Sequence, residues 1–316
     1  MSTVPPAPVS LPELEGVRVW VDGRLGGAAE ASAGGVGVGA LDHGVTVGDG
    51  VFETAKVVDG VPFALDRHHD RMDRSLAGIG LAPLDRDRMN EGIRAVLDMG
   101  GMRFGRLRCT VTAGVGPLGS DRLAGAATYV VSAMEVEQPG PTTTVAVVPW
   151  TRNERSALTG VKSTSYADNV VALAAAKGRG HTEALLANTS GMLCEGTGSN
   201  VFVVVDGVVR TPSLESGPLA GITRALTLEW LREDGVEVVE EQLPLSVLAE
   251  ADEVWITSST RDVAAVTHVD VVPPVTLLNG VRLEVPELQP RDLPHGPLGR
   301  RAQELFARRS TQEPNP

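Results

Sequence analysis

The chain has 316 residues, enough to bury a sizeable core in two modest domains or one large one. A net charge of −12 excludes the concentrated basic face that a nucleic-acid backbone demands, yet leaves room for one or two well-placed cations against a small anion. With 42% hydrophobic but only 3% aromatic residues, the core is expected to be built from Val, Leu, Ala and Ile.

In chain order, residues 1–16 are proline-rich and lack a charged segment followed by an apolar one, so they read as a disordered tail rather than a signal peptide. Val17 to Val21 alternates as a strand and turns at Asp22-Gly23. The stretch GGAAEASAGGVGVGA superficially matches a dinucleotide fingerprint. It reads as a loop, because no helix opens behind it and no following strand carries an acid. Val51 to Val58 is a second strand, and helices are expected from Asp66 to Gly80 and near Asp85 to Met99. Strands follow at Arg106–Thr112 and Thr128–Met134, completing a small α/β domain over 17–137. The segment EQPGP marks a joint, and 138–152 reads as a linker containing a strand at Val145–Pro149.

A larger domain is expected over 153–309, with a helix at Asp168–Arg179 and strands at Glu183–Ala187 and Val201–Val205. Ile222–Glu233 is an amphipathic helix with Leu226 and Trp230 on one face, ended by Gly235. Strands near Glu237–Gln242 and Glu253–Thr257 and a helix at Leu298–Arg309 precede a polar tail, 310–316. The fold class is therefore mixed α/β in two domains. Cys109 and Cys194 stand in unrelated contexts, which argues against a disulfide or zinc site and for a reducing compartment. No apolar run approaches the roughly 18 residues of a membrane span. A soluble cytoplasmic protein with neither a membrane nor a nucleic-acid partner is the expectation.

Four stretches carry chemistry. In VKSTSYADN, Lys162 lies between apolar residues and hydroxyls, where partial desolvation makes a usable amine, and Tyr166 can donate to a nearby anionic oxygen. In EGTGSNVF, Glu195 precedes a glycine turn and an apolar strand, a place from which a carboxylate can face a protonated ring nitrogen. In GPLAGITRALTLEW, Ile222 and Thr223 open a helix whose free N–H groups suit a phosphate. In EVWITSSTRDV, a strand ends in Ser258-Ser259-Thr260, a second cluster of hydroxyls and N–H groups. Singly, each reads as an exposed lysine, a solvated glutamate, a well-capped helix and an ordinary turn. Together they supply an amine, a ring-nitrogen partner and two phosphate turns, which is the set pyridoxal phosphate requires.

The sequence resembles the class IV, or fold-type IV, pyridoxal-phosphate enzymes, a family that includes branched-chain and D-amino-acid aminotransferases and 4-amino-4-deoxychorismate lyases. The resemblance runs from about Val17 to Arg309. It rests on DHGVTVGDGVFET, the helix containing Arg67, K-x-x-x-Y-x-x-N (162–169), E-G-x-G-S-N (195–200), L-A-G-I-T-R (219–224) and the S-S-T turn (258–260), in that order. It implies a two-domain D-amino-acid-aminotransferase-like fold with the cofactor at the domain junction, and a homodimer. It further implies that Lys162 holds the cofactor covalently and shuttles protons at the substrate carbon. Glu195 would keep the ring nitrogen protonated and Tyr166 would bond the phenolic oxygen. Arg67, Ile222, Thr223, Ser259 and Thr260 would bind the phosphate.

The resemblance implies that the substrate is an amino or oxo acid, or aminodeoxychorismate. The stretches VKSTSYADN, GDGVFET and SSTRDV look nearer to the lyase-like and D-aminotransferase-like members, which ranks first the lyase that releases pyruvate and leaves 4-aminobenzoate for folate synthesis. Transamination of a branched-chain or D-amino acid is the alternative. Ala113-Gly114 stands where such members often have arginine, so the substrate carboxylate must find another cation among Arg106, Arg108, Arg152 and Arg261. A hydrolase built on Thr159 and Lys162 explains neither Glu195 nor the phosphate turns, and a non-catalytic cofactor-binding protein is an outside reading. His68 and His69 with Asp66, Asp70 and Asp73 point several ways on one helix and read as a solvated, salt-bridged face, so no metal is expected. His43, Asp49 and Glu53 are read as structural or at the pocket rim, and Cys194 as a small buried residue.

Overall fold

A computed structural model of the protein describes residues 14–285 and 288–316, so most of the expected N-terminal tail lies outside the described residues. The described chain forms two compact units.

The first unit comprises 14–138, Val161–Tyr166 and Glu313–Pro316. Its six-stranded antiparallel sheet runs, edge to edge, Arg24–Gly27, Arg18–Val21, Thr128–Glu135, Phe104–Thr112, Gly50–Val58 and Val61–Pro62. Alternation decides which face is covered. Leu107, Cys109 and Val111 turn inward with Val51 and Val57, and the helices Leu65–Gly78 and Arg86–Leu97 lay Met72, Leu76, Met89 and Ile93 onto them. The second helix approaches closely because Gly92 lacks a side chain. A Cβ there would lie 2.6 Å from the Trp20 ring. Arg106, Arg108 and Thr110 alternate out of this core, opposite Lys56, Thr54 and Phe52 of the neighbouring strand.

The second unit comprises 139–160 and 167–312 among the described residues. Its nine-stranded sheet is mixed. The order is Val238–Glu241, Val208–Pro212, Asn200–Val205, Glu253–Ser258, Asp262–Val271, Thr142–Arg152, Glu183–Asn188 and Leu193–Gly196, with Arg291–Asp292 pairing on Asp262–Val271. Strands in its centre are apolar on both faces, as a doubly covered sheet requires. Val145, Val147, Leu185, Val203, Ile256 and Val266 fill one core. On another, Ala146, Val148 and Leu186 meet Ala172 and Ala176 of the helix Ala167–Lys177. The helices Ile222–Glu233 and Pro297–Gln312 pack through Trp230 and Phe306, whose rings are 4.9 Å apart.

Several expectations are corrected. The glycine- and alanine-rich stretch is not all loop, since Ala28–Ser32 forms a short helix. The expected linker is largely the strand Thr142–Arg152, held by parallel pairing to Asp262–Val271 on one side and Glu183–Asn188 on the other. Lys162 and Tyr166 group with the first unit rather than the second, because Lys162–Thr164 runs along the edge of Gly50–Phe52. The Phe52 N–H donates to the Lys162 carbonyl at 2.9 Å, and the Thr164 N–H to that of Gly50 at 2.8 Å. Nor is 310–316 a loose tail. The last helix continues to Gln312, and the Ala64 N–H donates to the Pro314 carbonyl at 2.7 Å. Among the described residues no helix is long and apolar enough to cross a membrane.

Candidate active site

Lys162 is positioned by backbone and aromatic contacts. Beside its pairing with Phe52, its N–H donates to Ser75 Oγ at 3.2 Å, which ties it to the helix Leu65–Gly78. Its Nζ stands 4.5 Å from the centroid of the Phe52 ring and 5.9 Å from that of Tyr166, and those two rings meet edge to face at 5.2 Å. The Arg108 guanidinium covers the same Phe52 ring at 3.7 Å. Phe52 thus gathers an ammonium, a guanidinium and a phenol around one aromatic ring, with cation–π attraction favouring both cations there. Phe52 was not singled out from the sequence. Only its place in the GDGVFET block could have flagged it.

Beneath this ring, on the helix-covered face, Glu53 is buried and bonded twice by Arg71: Nε to Oε1 at 2.7 Å and Nη2 to Oε2 at 2.6 Å. His68 Nδ1 lies 2.7 Å from the same carboxylate. Burial alone would raise the Glu53 pKa, but the Arg71 charge and the bonds from Arg71 and His68 outweigh it and hold the acid well below the usual range. Burial lowers the pKa of His68. Glu53 is therefore the centre of an internal ion pair, which places it in the structural class the sequence assigned. His43 is likewise buried, with Nε2 3.0 Å from the Pro117 carbonyl, while Asp49 pairs with Arg122 at 2.5 Å.

In the second unit a carboxylate, a helix start and a hydroxyl-bearing turn collect at one end of the sheet. Glu195, on Leu193–Gly196, accepts from the Leu219 N–H at 2.9 Å and lies 3.0 Å from Arg152 Nε. Arg152 also donates to Asn169 Oδ1 at 3.2 Å. The Leu219 carbonyl accepts from Asn200 Nδ2 at 2.8 Å and from the Gly221 N–H at 2.8 Å, which seats the start of the helix Ile222–Glu233 beside Glu195. Glycine at 221 gives room for Asn200, since a Cβ there would crowd the Asn200 amide. Helix geometry leaves the first-turn N–H groups without internal partners, and the buried Thr223 hydroxyl adds a donor. Asn200 pairs with Thr257, so the half-buried turn at Ser259 and Thr260 lies at the same end. Buried Cys194, whose thiol pKa is pushed up first by burial, is no nucleophile here.

The expected site residues therefore fall into two groups. Lys162, Tyr166, Arg67, Arg106 and Arg108 lie in the first unit, and Glu195, Ile222, Thr223, Ser259, Thr260, Arg152 and Arg261 in the second. Arg67 Nε donates to the Pro316 carbonyl at 2.9 Å. Two of the arginines proposed for a substrate carboxylate are engaged otherwise. Arg152 faces Glu195, and Arg261 bonds Glu183 at 3.0 Å and the Thr182 carbonyl at 2.9 Å. Arg108 has neither a hydrogen bond nor an ion pair among the described residues, and it stays exposed.

These donors suit a cofactor that joins an aldehyde, a basic ring nitrogen and a phosphate. The family model for amino-transferase class IV matches residues 50–269. The chain belongs to the class IV aminotransferases, enzymes that work with pyridoxal 5′-phosphate. A Methanocaldococcus jannaschii protein assigned as a branched-chain-amino-acid aminotransferase is 34% identical over 80% of this chain and 88% of its own. The D-alanine aminotransferase of Bacillus licheniformis is 30% identical over 80% and 89%. The aminodeoxychorismate lyase of Bacillus subtilis is 29% identical over 73% and 82%. Among solved structures, the branched-chain aminotransferase of Thermoproteus uzoniensis with norvaline matches with a TM-score of 0.79 and 26% identity, over 92% of this chain and 93% of that one. An aminotransferase from Brucella abortus bound to PLP matches with a TM-score of 0.77 and 25% identity, over 93% and 99%. The fold is thus the mixed α/β fold of this family.

Proposed function

We propose that the protein is a pyridoxal-phosphate aminotransferase that moves an amino group between an amino acid and a 2-oxo acid. The observation that carries this reading is Arg108, whose guanidinium has no ionic partner among the described residues and stacks on the ring that also meets the Lys162 amine. A carboxylate held by Arg108 brings the adjoining carbon of the substrate toward Nζ, and both substrates of a transamination carry such a group. The cofactor supplies the electron sink for carbanion chemistry at that carbon. Lys162 Nζ would hold the cofactor, and the same amine is the group placed to move a proton at the substrate carbon. Tyr166 is held edge to face against Phe52, and its phenol would serve an anionic oxygen of the cofactor. Glu195, fixed by the Leu219 N–H and Arg152, presents an anion to the ring nitrogen. The N–H groups at Ile222 and Thr223 and the turn at Ser259 and Thr260 receive the phosphate, with Arg67 as a further cation. A homodimer belongs to the same reading, with Val45, Val47, Leu118 and Leu123 exposed on the first unit as apolar surface for it.

The lyase, ranked first on the sequence, becomes the second reading. It draws on the Ser258-Ser259-Thr260-Arg261 turn and on the 29% identical Bacillus subtilis enzyme. The deciding experiment offers the holoenzyme aminodeoxychorismate in one arm, and L- and D-amino acids with 2-oxoglutarate in another. Glutamate formation is the expected result. Pyruvate with 4-aminobenzoate, and no glutamate, would replace transamination by elimination. In the productive arm, Arg108→Gln raises KM for the carboxylate substrate by about tenfold or more, in line with the roughly 1.5–3 kcal/mol of a charged hydrogen bond. An unchanged KM removes Arg108 from the substrate site.

A further inference from the structure

On the second unit a histidine pair and an aspartate converge. His181 precedes the strand Glu183–Asn188, and His268 and Asp270 lie on Asp262–Val271. One ligating atom from each of the three lies within 4.8 Å of the other two. The imidazole planes are nearly parallel, 10° apart with centroids at 5.6 Å. Nε2 of His181 lies 3.0 Å from Asp270 Oδ2, and its Nδ1 lies 3.0 Å from Thr144 Oγ1. Nδ1 of His268 lies 2.6 Å from Asp292 Oδ1.

We propose that His181, His268 and Asp270 form a surface site for a divalent transition metal of the zinc class. Both rings have an oxygen partner at Nδ1, the arrangement that fixes an imidazole tautomer and directs the Nε2 lone pair toward a metal. The Thr144 hydroxyl can either donate or accept. His181 can therefore present N–H or lone pair to Asp270 at the expense of one hydroxyl rotation, so a metal can replace the shared proton without moving the backbone. The separation of 3.0 Å between His181 Nε2 and Asp270 Oδ2 fits two adjacent ligands, each about 2.0–2.2 Å from one ion. Two imidazoles and one carboxylate leave further positions for water, because His181 and His268 are both half-buried at the surface. Imidazole with carboxylate selects zinc, nickel or copper over magnesium.

One side chain competes for the place. Arg179 Nε lies 2.6 Å from Asp270 Oδ2, but its side chain is 38% exposed and can swing into water. The competition supplies a diagnostic. The site is independent of the aminotransferase reading, since none of its residues belongs to either group described above.

The test is calorimetric titration of the cofactor-loaded full chain with zinc chloride, repeated with magnesium chloride. Wild type is expected to take up one zinc per chain saturably and no magnesium. His268→Ala and His181→Ala should each weaken zinc binding by about tenfold or more. Arg179→Ala should tighten it. Turnover in the absence of added metal stays unchanged in all three variants. Absence of saturable zinc binding to the wild type overturns the proposal, as does the same affinity in both histidine variants.

Discussion

Replacing Lys162 by alanine is expected to leave a folded protein whose turnover falls by roughly three orders of magnitude or more, the scale on which an internal base and covalent anchor act. The backbone contacts that place residue 162, to Phe52 and Ser75, are made by its main chain and survive the change. The side chain contributes an amine over an aromatic ring, half-buried, so its loss should alter thermal stability little. The pairing of lost turnover with retained stability is what distinguishes a reacting amine from a structural one. Wild-type-like turnover in Lys162→Ala, measured with whichever substrate pair proves productive, would remove the mechanism.

Glu53→Gln is expected to do the opposite, acting first on the fold. It strips the bidentate carboxylate from a buried guanidinium, and breaking one partner of a buried ion pair costs about 3–5 kcal/mol. Urea unfolding of the first unit's sheet and helices should shift accordingly, and a loss below about 1 kcal/mol would contradict the assignment. The pH dependence adds a second reading. The carboxyl of folded Glu53 is held below its ordinary value of 4.5, so its stabilisation is complete above that pH. It is lost as the pH falls from about 4.5 through the lower folded value. In the variant that component of acid sensitivity should be missing.

Much of the fold was legible because burial and alternation coincide. Leu107, Cys109 and Val111 against Arg106 and Arg108 announce a strand with one covered face, and Leu226 with Trp230 announces a helix. The strands Leu193–Gly196, Val208–Pro212 and Asp262–Val271 escaped, being short, glycine-flanked or broken by a register shift between Val266 and His268. The unit to which Lys162 belongs was illegible for a different reason. Its assignment depends on main-chain pairing with a strand more than a hundred residues earlier, and local pattern carries no record of that. The candidate site was legible as residue types in order, but their engagement was not. Arg152, Arg261 and Arg108 look equivalent in sequence, and only tertiary contacts show that Glu195 and Glu183 take the first two.

The chain contains only three lysines, at 56, 162 and 177, which makes the central claim open to direct chemistry. Lys56 is buried over the Phe63 ring and Lys177 ends an exposed helix turn, so neither shares the setting of Lys162. Reducing the cofactor-loaded enzyme with borohydride, digesting it and locating the pyridoxyl group by mass spectrometry gives a single answer. The group should be found on Lys162 and on no other residue; a label on Lys56 or Lys177, or no label at all, would contradict the account.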